Sequence, residues 1–156
     1  MTTDAEVFAQ IDGAFRAVPR PEHYYTNPDH CDECHEHDEL LRAHERFSLT
    51  MNEIGHMSWD PVTGASPHAF AYLLPALVRL ALSTEEDPIG WYGEQLVFHL
   101  ERDGKRNDRW AYCSPQQRAA VAALIEHLID TRPELLERYM SDHQAFRVLE
   151  IWRELE

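Results

Sequence analysis

Long apolar runs are missing from this chain: the longest, AFAYLLPALV before Arg79, falls short of the roughly 20 residues that a bilayer-spanning helix needs. A basic surplus is missing too. Only 14 Lys and Arg stand against 28 Asp and Glu, and the resulting formal charge of −14 repels phosphate backbones and anionic lipid surfaces. Nucleic acid and membranes are therefore not expected as partners, whereas a metal ion or a basic protein partner is what such a field attracts. Cysteine is scarce and its count of three is odd, which argues against a disulfide framework. The start, MTTDAEVFAQ, has neither a basic region nor a long apolar one, so no signal peptide is read there and a cytoplasmic location is expected. No segment alternates with period two, and there is no Gly-rich phosphate loop, G-x-S-x-G elbow or dinucleotide fingerprint.

What remains is helical periodicity. At 156 residues the chain is long enough for one core without covalent staples. The expected architecture is a single all-α domain over residues 1–156, a bundle of about six or seven helices with a long Pro-rich loop that carries Cys and His. Val7, Phe8, Ile11, Phe15 and Val18 recur at three- and four-residue spacing and predict a helix over 4–18, stopped by Pro19 and Pro21. CHEHDELLRAHERF predicts a short helix from Cys34 with Leu40, Leu41 and Phe47 on its inner face, and its early carboxylates suit the helix dipole. NEIGHMSWDPVTGASPH reads as loop.

Ser66 and Pro67 form an N-cap and first-turn proline, and the helix behind them is apolar nearly all round, so it belongs at the centre. Pro75 inside it removes one backbone donor and predicts a kink. Asp87 and Pro88 give a similar start for a helix ended by Gly104, and RDGKRNDR reads as a charged loop. Ser114, Pro115 and Gln117 make a capping box ahead of a stripe of Val121, Leu124, Ile125, Leu128 and Ile129. Pro133 opens a short helix, and Ser141 with Gln144 offers a last capping box ahead of Phe146, Leu149 and Trp152. Arg79 is expected at a helix edge or paired with a carboxylate, and Trp59, Trp91 and Trp110 as anchors.

Chemistry concentrates in HCDECHEHDE, residues 30–39. Cys31-x-x-Cys34 lets two thiolates converge on one ion from a tight turn, and tetrahedral zinc takes such donors. The expected ligand set is Cys31, Cys34, His37 and His23, with His37 sharing the helix face of Cys34. His30, His35 and His56 are further candidates, and Cys113 reads as a buried core residue. The expected site is closed and structural, pinning the loop to the helices. A redox reading is disfavoured, because no βαβ pattern precedes the motif and the carboxylates around it should raise the thiol pKa values. The alternative to both is that the cysteines are small apolar fillers and the histidines are solvated.

Three functions fit. One is a non-enzymatic interaction module whose acidic loop is organised by zinc. Another is an immunity- or antitoxin-like inhibitor that masks a basic protein. The third is a metal-dependent hydrolase with an open coordination position.

Taken together, HCDECHEHDELL, AFAYLLPALVRLAL and SPQQRAAVAALIEHL resemble a bacterial family of small proteins known as a domain of unknown function, over roughly residues 8–130. That resemblance implies no activity and no catalytic residue.

Overall fold

The computed structural model describes residues 2–83, 90–102, 106–140 and 143–155. All regular structure in them is helical: α1 (Asp4–Phe15), α2 (Asp32–Arg42), α3 (Met51–Ile54), α4 (Pro67–Ala81), α5 (Tyr92–Glu101), α6 (Asp108–Tyr112), α7 (Pro115–Thr131), α8 (Pro133–Tyr139) and α9 (Gln144–Arg153). The all-α expectation holds, with more helices than the periodicity suggested. The additions are α3 and α6, one to one and a half turns each, in stretches read as loop. Local capping makes them: Thr50 and Glu53 form a capping box around α3, and Asn107 accepts from the N–H groups of Arg109 and Trp110 at the start of α6.

The central helix is where its composition placed it. Eleven of the 15 residues of α4 are buried, Leu77 completely, and α4 packs against α1, α5 and α6. Ser66 caps it through the Ala69 N–H at 3.1 Å. The helix continues through Pro75. Pro75 has no N–H for the Ala71 carbonyl, and on the neighbouring Tyr72 carbonyl Arg46 Nη1 donates at 2.9 Å. Beyond α4, α7 lies against α1, α8 and α9, with its capping box formed as predicted. The helix over 4–18 ends at Phe15 rather than Val18.

Several details differ from the sequence reading. Phe47 does not face inward: α2 stops at Arg42, a separate 3-10 turn carries Arg46–Ser48, and the Phe47 ring lies at the surface under the guanidinium groups of Arg46 and Arg79. Arg79 sits at the helix edge and donates to the Phe47 carbonyl. Phe146 is 54% exposed, although Leu149 and Trp152 on the same helix are buried. Asp87, Pro88, Gly104 and Ser141 lie outside the described residues, and α5 and α9 start after Trp91 and His143.

The stretch read as a charged loop holds the largest surprise. Arg109 is 1% exposed. Its guanidinium donates to the carbonyls of Val62 (2.8 Å), His99 (3.2 Å), Thr63 (3.3 Å) and Ala65 (3.4 Å) and lies 4.2 Å from the Phe70 ring centre. Alongside, the buried Asp60 carboxylate accepts from the Val62 N–H at 2.9 Å, Gln95 Nε2 at 2.9 Å and His99 at 2.7 Å. A charge survives in the interior only where polar groups replace water. The 60–65 turn supplies them, and it is thereby fastened to α5 and α6.

Candidate functional site

The candidate site is the first turn of α2 and the loop that feeds it. Cys31 has extended backbone (φ −159°, ψ 170°) and is the N-cap of α2, with its sulfur accepting from the Cys34 N–H at 3.3 Å. A sulfur thus occupies the place that a Ser or Asp oxygen usually takes. Residue 34 lies one helical turn on, which brings the two Sγ atoms to 3.1 Å. The His30 N–H donates to the Asn27 carbonyl at 3.2 Å, and this bend turns the His30 ring back so that Nδ1 sits 3.8 Å from Cys34 Sγ. The donor atoms of His30, Cys31 and Cys34 all lie within 4.8 Å of one another, with His30 and Cys31 exposed and Cys34 half-buried.

This set fits a tetrahedral ion. Zinc–sulfur bonds of about 2.3 Å and zinc–nitrogen bonds of about 2.0 Å imply sulfur–sulfur edges near 3.7 Å and sulfur–nitrogen edges near 3.5 Å. The Cys31–Cys34 separation of 3.1 Å and the Cys34–His30 separation of 3.8 Å need adjustments of about half an ångström, and the widest separation in the set, at most 4.8 Å, needs about 1.3 Å, all within reach of rotamer changes.

The other predicted ligands are held elsewhere. His37, one turn beyond Glu33 on α2, contacts Glu33 Oε1 through Nε2 at 3.2 Å, and its buried ring packs 4.4 Å from Trp59 and 6.0 Å from Tyr25. His23 pairs through Nδ1 with Asp38 Oδ2 at 2.8 Å. His35 lies between Glu39 and Asp29 on the exposed side, and His56 is exposed ahead of the Met57–Trp59 turn. Cys113 is buried at the end of α6, as expected of a core residue, and burial pushes its thiol up to about 12. His30 takes the third place, beside Cys31 in sequence; its signal was adjacency and not helical spacing.

Electrostatics separate the two thiols. For Cys31, the Cys34 thiol, the Cys34 N–H and the His30 ring outweigh the opposing effect of burial and lower its pKa from 9.0 to about 7. Cys34 is raised, first by its hydrogen bond with Cys31 and then by burial. The expectation that acidic surroundings would raise both thiols is thus corrected for Cys31, which the short-range hydrogen bonds of Cys34 and His30 lower.

Asp38 ties the loop to α2. Its Oδ1 accepts from the N–H groups of Tyr24 (2.6 Å) and Tyr25 (3.1 Å) while Oδ2 holds His23. Burial works against its charge, but His23 and the two backbone donors outweigh it and keep the carboxyl below its ordinary range. Tyr25 then donates to the Pro61 carbonyl at 2.7 Å with its ring against Gly64, where a Cβ would come within 2.6 Å of it. The site platform and the 60–65 turn are one continuous construction.

Two clefts, both lined by residues around α7 and α8, include none of the three donors. Among the described residues no helix is long and apolar enough to cross a membrane. No curated protein and no solved structure matches the chain. A family model does match, from residue 3 to residue 155, a span wider than the 8–130 resemblance, and so the chain belongs to the family of unknown function DUF6714.

Proposed function

We propose that this protein is a non-enzymatic, metal-organised interaction module in which His30, Cys31 and Cys34 hold a zinc ion at the start of α2. The observation that carries the reading is the convergence of three zinc-type donors within 4.8 Å. It is supported by the Cys34 N–H on Cys31 Sγ, which stabilises a thiolate ligand. The fourth position belongs to water or to a donor from a partner, so this is an exposed site and not the closed one that four protein ligands would make. Bound zinc keeps both thiolates deprotonated and turns part of the acidic surface into a recognition surface. With a chain charge of −14, the partner that suits it is a basic protein.

The test is elemental analysis of untagged protein purified without chelator, together with zinc titration of the reduced chain. Stoichiometric zinc is expected in the wild type, none in a Cys31→Ser, Cys34→Ser variant, and weakened uptake in His30→Ala. Absence of metal and of uptake in the reduced wild type overturns the proposal.

A further inference from the structure

We infer that Cys31 and Cys34 also form a peroxide-oxidised, thiol-reduced dithiol pair, so that this turn has a disulfide state besides its metal state. The geometry supplies the argument. The Sγ atoms are 3.1 Å apart in the reduced chain, and a disulfide needs about 2.05 Å. The i,i+3 spacing and the N-cap conformation of Cys31 already face the sulfurs toward each other, so about one ångström is left to close. Cys31 is open to solvent, and its sulfur receives the Cys34 N–H. Cys113, buried on another helix, is not a competitor.

The chemistry balances with a hydroperoxide as oxidant. The Cys31 thiolate attacks one peroxide oxygen, a sulfur–oxygen bond forms, the oxygen–oxygen bond breaks and hydroxide leaves. The sulfur gives up two electrons and becomes a sulfenic acid. Cys34 sulfur then attacks the Cys31 sulfur, the sulfur–sulfur bond replaces the sulfur–oxygen bond, and the departing hydroxide takes the Cys34 proton as water. An external dithiol reverses the pair by thiol–disulfide exchange.

The surroundings select the oxidant. Asp32, Glu33 and Glu36 are exposed around the pair on a chain of net charge −14, so an anionic disulfide such as oxidised glutathione is repelled while neutral hydrogen peroxide is not. One consequence rests on the metal reading above: oxidation removes both sulfur ligands at once and releases the ion.

The experiment uses the full chain, reduced, desalted and held in chelator, treated with equimolar hydrogen peroxide and followed by intact mass and thiol titration. Expected are the loss of two hydrogens, a fall from three free thiols to one, full reversal by dithiothreitol, the same behaviour in Cys113→Ala and no such loss in Cys31→Ser. Oxidised glutathione should react more slowly, with added salt narrowing the difference. An unchanged mass, or oxygen retained on Cys31 with Cys34 still free, overturns the inference; equal, salt-independent rates overturn the selectivity. Zinc titration of both redox forms separates the two readings. Uptake by the reduced form only supports both. Uptake without any disulfide sinks the dithiol pair alone, and a disulfide with no uptake by the reduced form sinks the metal site alone.

Discussion

The first turn of α2 and the buried cluster around Asp60 and Arg109 are both dense in polar groups, and they are built in opposite ways. At α2 two of the three donors are exposed and the third is half-buried, and adjacency along the chain brings them together: residues 30, 31 and 34 share one bend and one helical turn. Around Asp60 most partners lie 35 to 47 residues apart, the side chains of Asp60, Gln95, His99 and Arg109 are buried, and backbone carbonyls answer the charge of Arg109. One region is available for chemistry and contributes little to the fold; the other is closed to ligands and holds the fold together. A cluster of reactive residue types in a sequence therefore says nothing of where the fold's stability lies.

Substitutions sharpen that contrast. Arg109→Met leaves several buried carbonyls without a donor and should cost about 3–5 kcal/mol, read as a lower urea midpoint at unchanged slope; a loss under about 1 kcal/mol would mean that the carbonyls find other donors. Leu77→Ala, at the fully buried centre of α4, should cost about 2–5 kcal/mol in the same assay, and normal stability there would move the core elsewhere. Asp38→Ala strands the Tyr24 and Tyr25 N–H groups and should cost about 1–3 kcal/mol, with amide exchange at those two residues accelerating before exchange in α4.

A smaller effect is set by pH. Asp4 is held from 3.8 down to about 2 by its hydrogen bond to Arg132, which outweighs the opposing effect of burial and is helped by His127. A carboxyl with a lowered folded-state pKa stabilises the fold above its unfolded value and loses that contribution as pH falls through the folded one. The melting-temperature gap between wild type and Asp4→Asn should therefore be full above about pH 4 and close as the pH approaches 2; a gap that persists at pH 2 would assign it to packing. The smallest effect belongs to the site that looks most elaborate in sequence. The Cys31→Ser, Cys34→Ser variant without metal should unfold within about 0.5 kcal/mol of wild type. A large loss would show that the thiols support the loop and that Asp38 does not suffice.

These differences explain how far the sequence could be read. Helical periodicity and caps are local properties, so α1, α4 and α7 were legible from Val7 to Phe15, from Ser66 onward and from Ser114 to Gln117. The pairing of Cys31 with Cys34 was legible for the same reason. Helical spacing favours His37 over His30, but its side of α2 turns inward onto Trp59 and Tyr25. The roles of Asp38, Asp60 and Arg109 were not legible. Each depends on where distant carbonyls and N–H groups arrive after folding, and a carboxylate or guanidinium in a polar stretch reads as solvated until those partners are in place. Thr50 and Glu53 did carry a local signal for α3, masked by the glycine and proline that follow.

The carbonyl grip on Arg109 also orders events in time. Its acceptors at Val62, Thr63 and Ala65 come from a turn 44 to 47 residues upstream, so the guanidinium cannot leave water until a loop of that length, with all of α4 inside it, has closed. Closure of such a loop must come before any reward from the contact. Arg109 is thus a latch that can fasten only after that loop has closed.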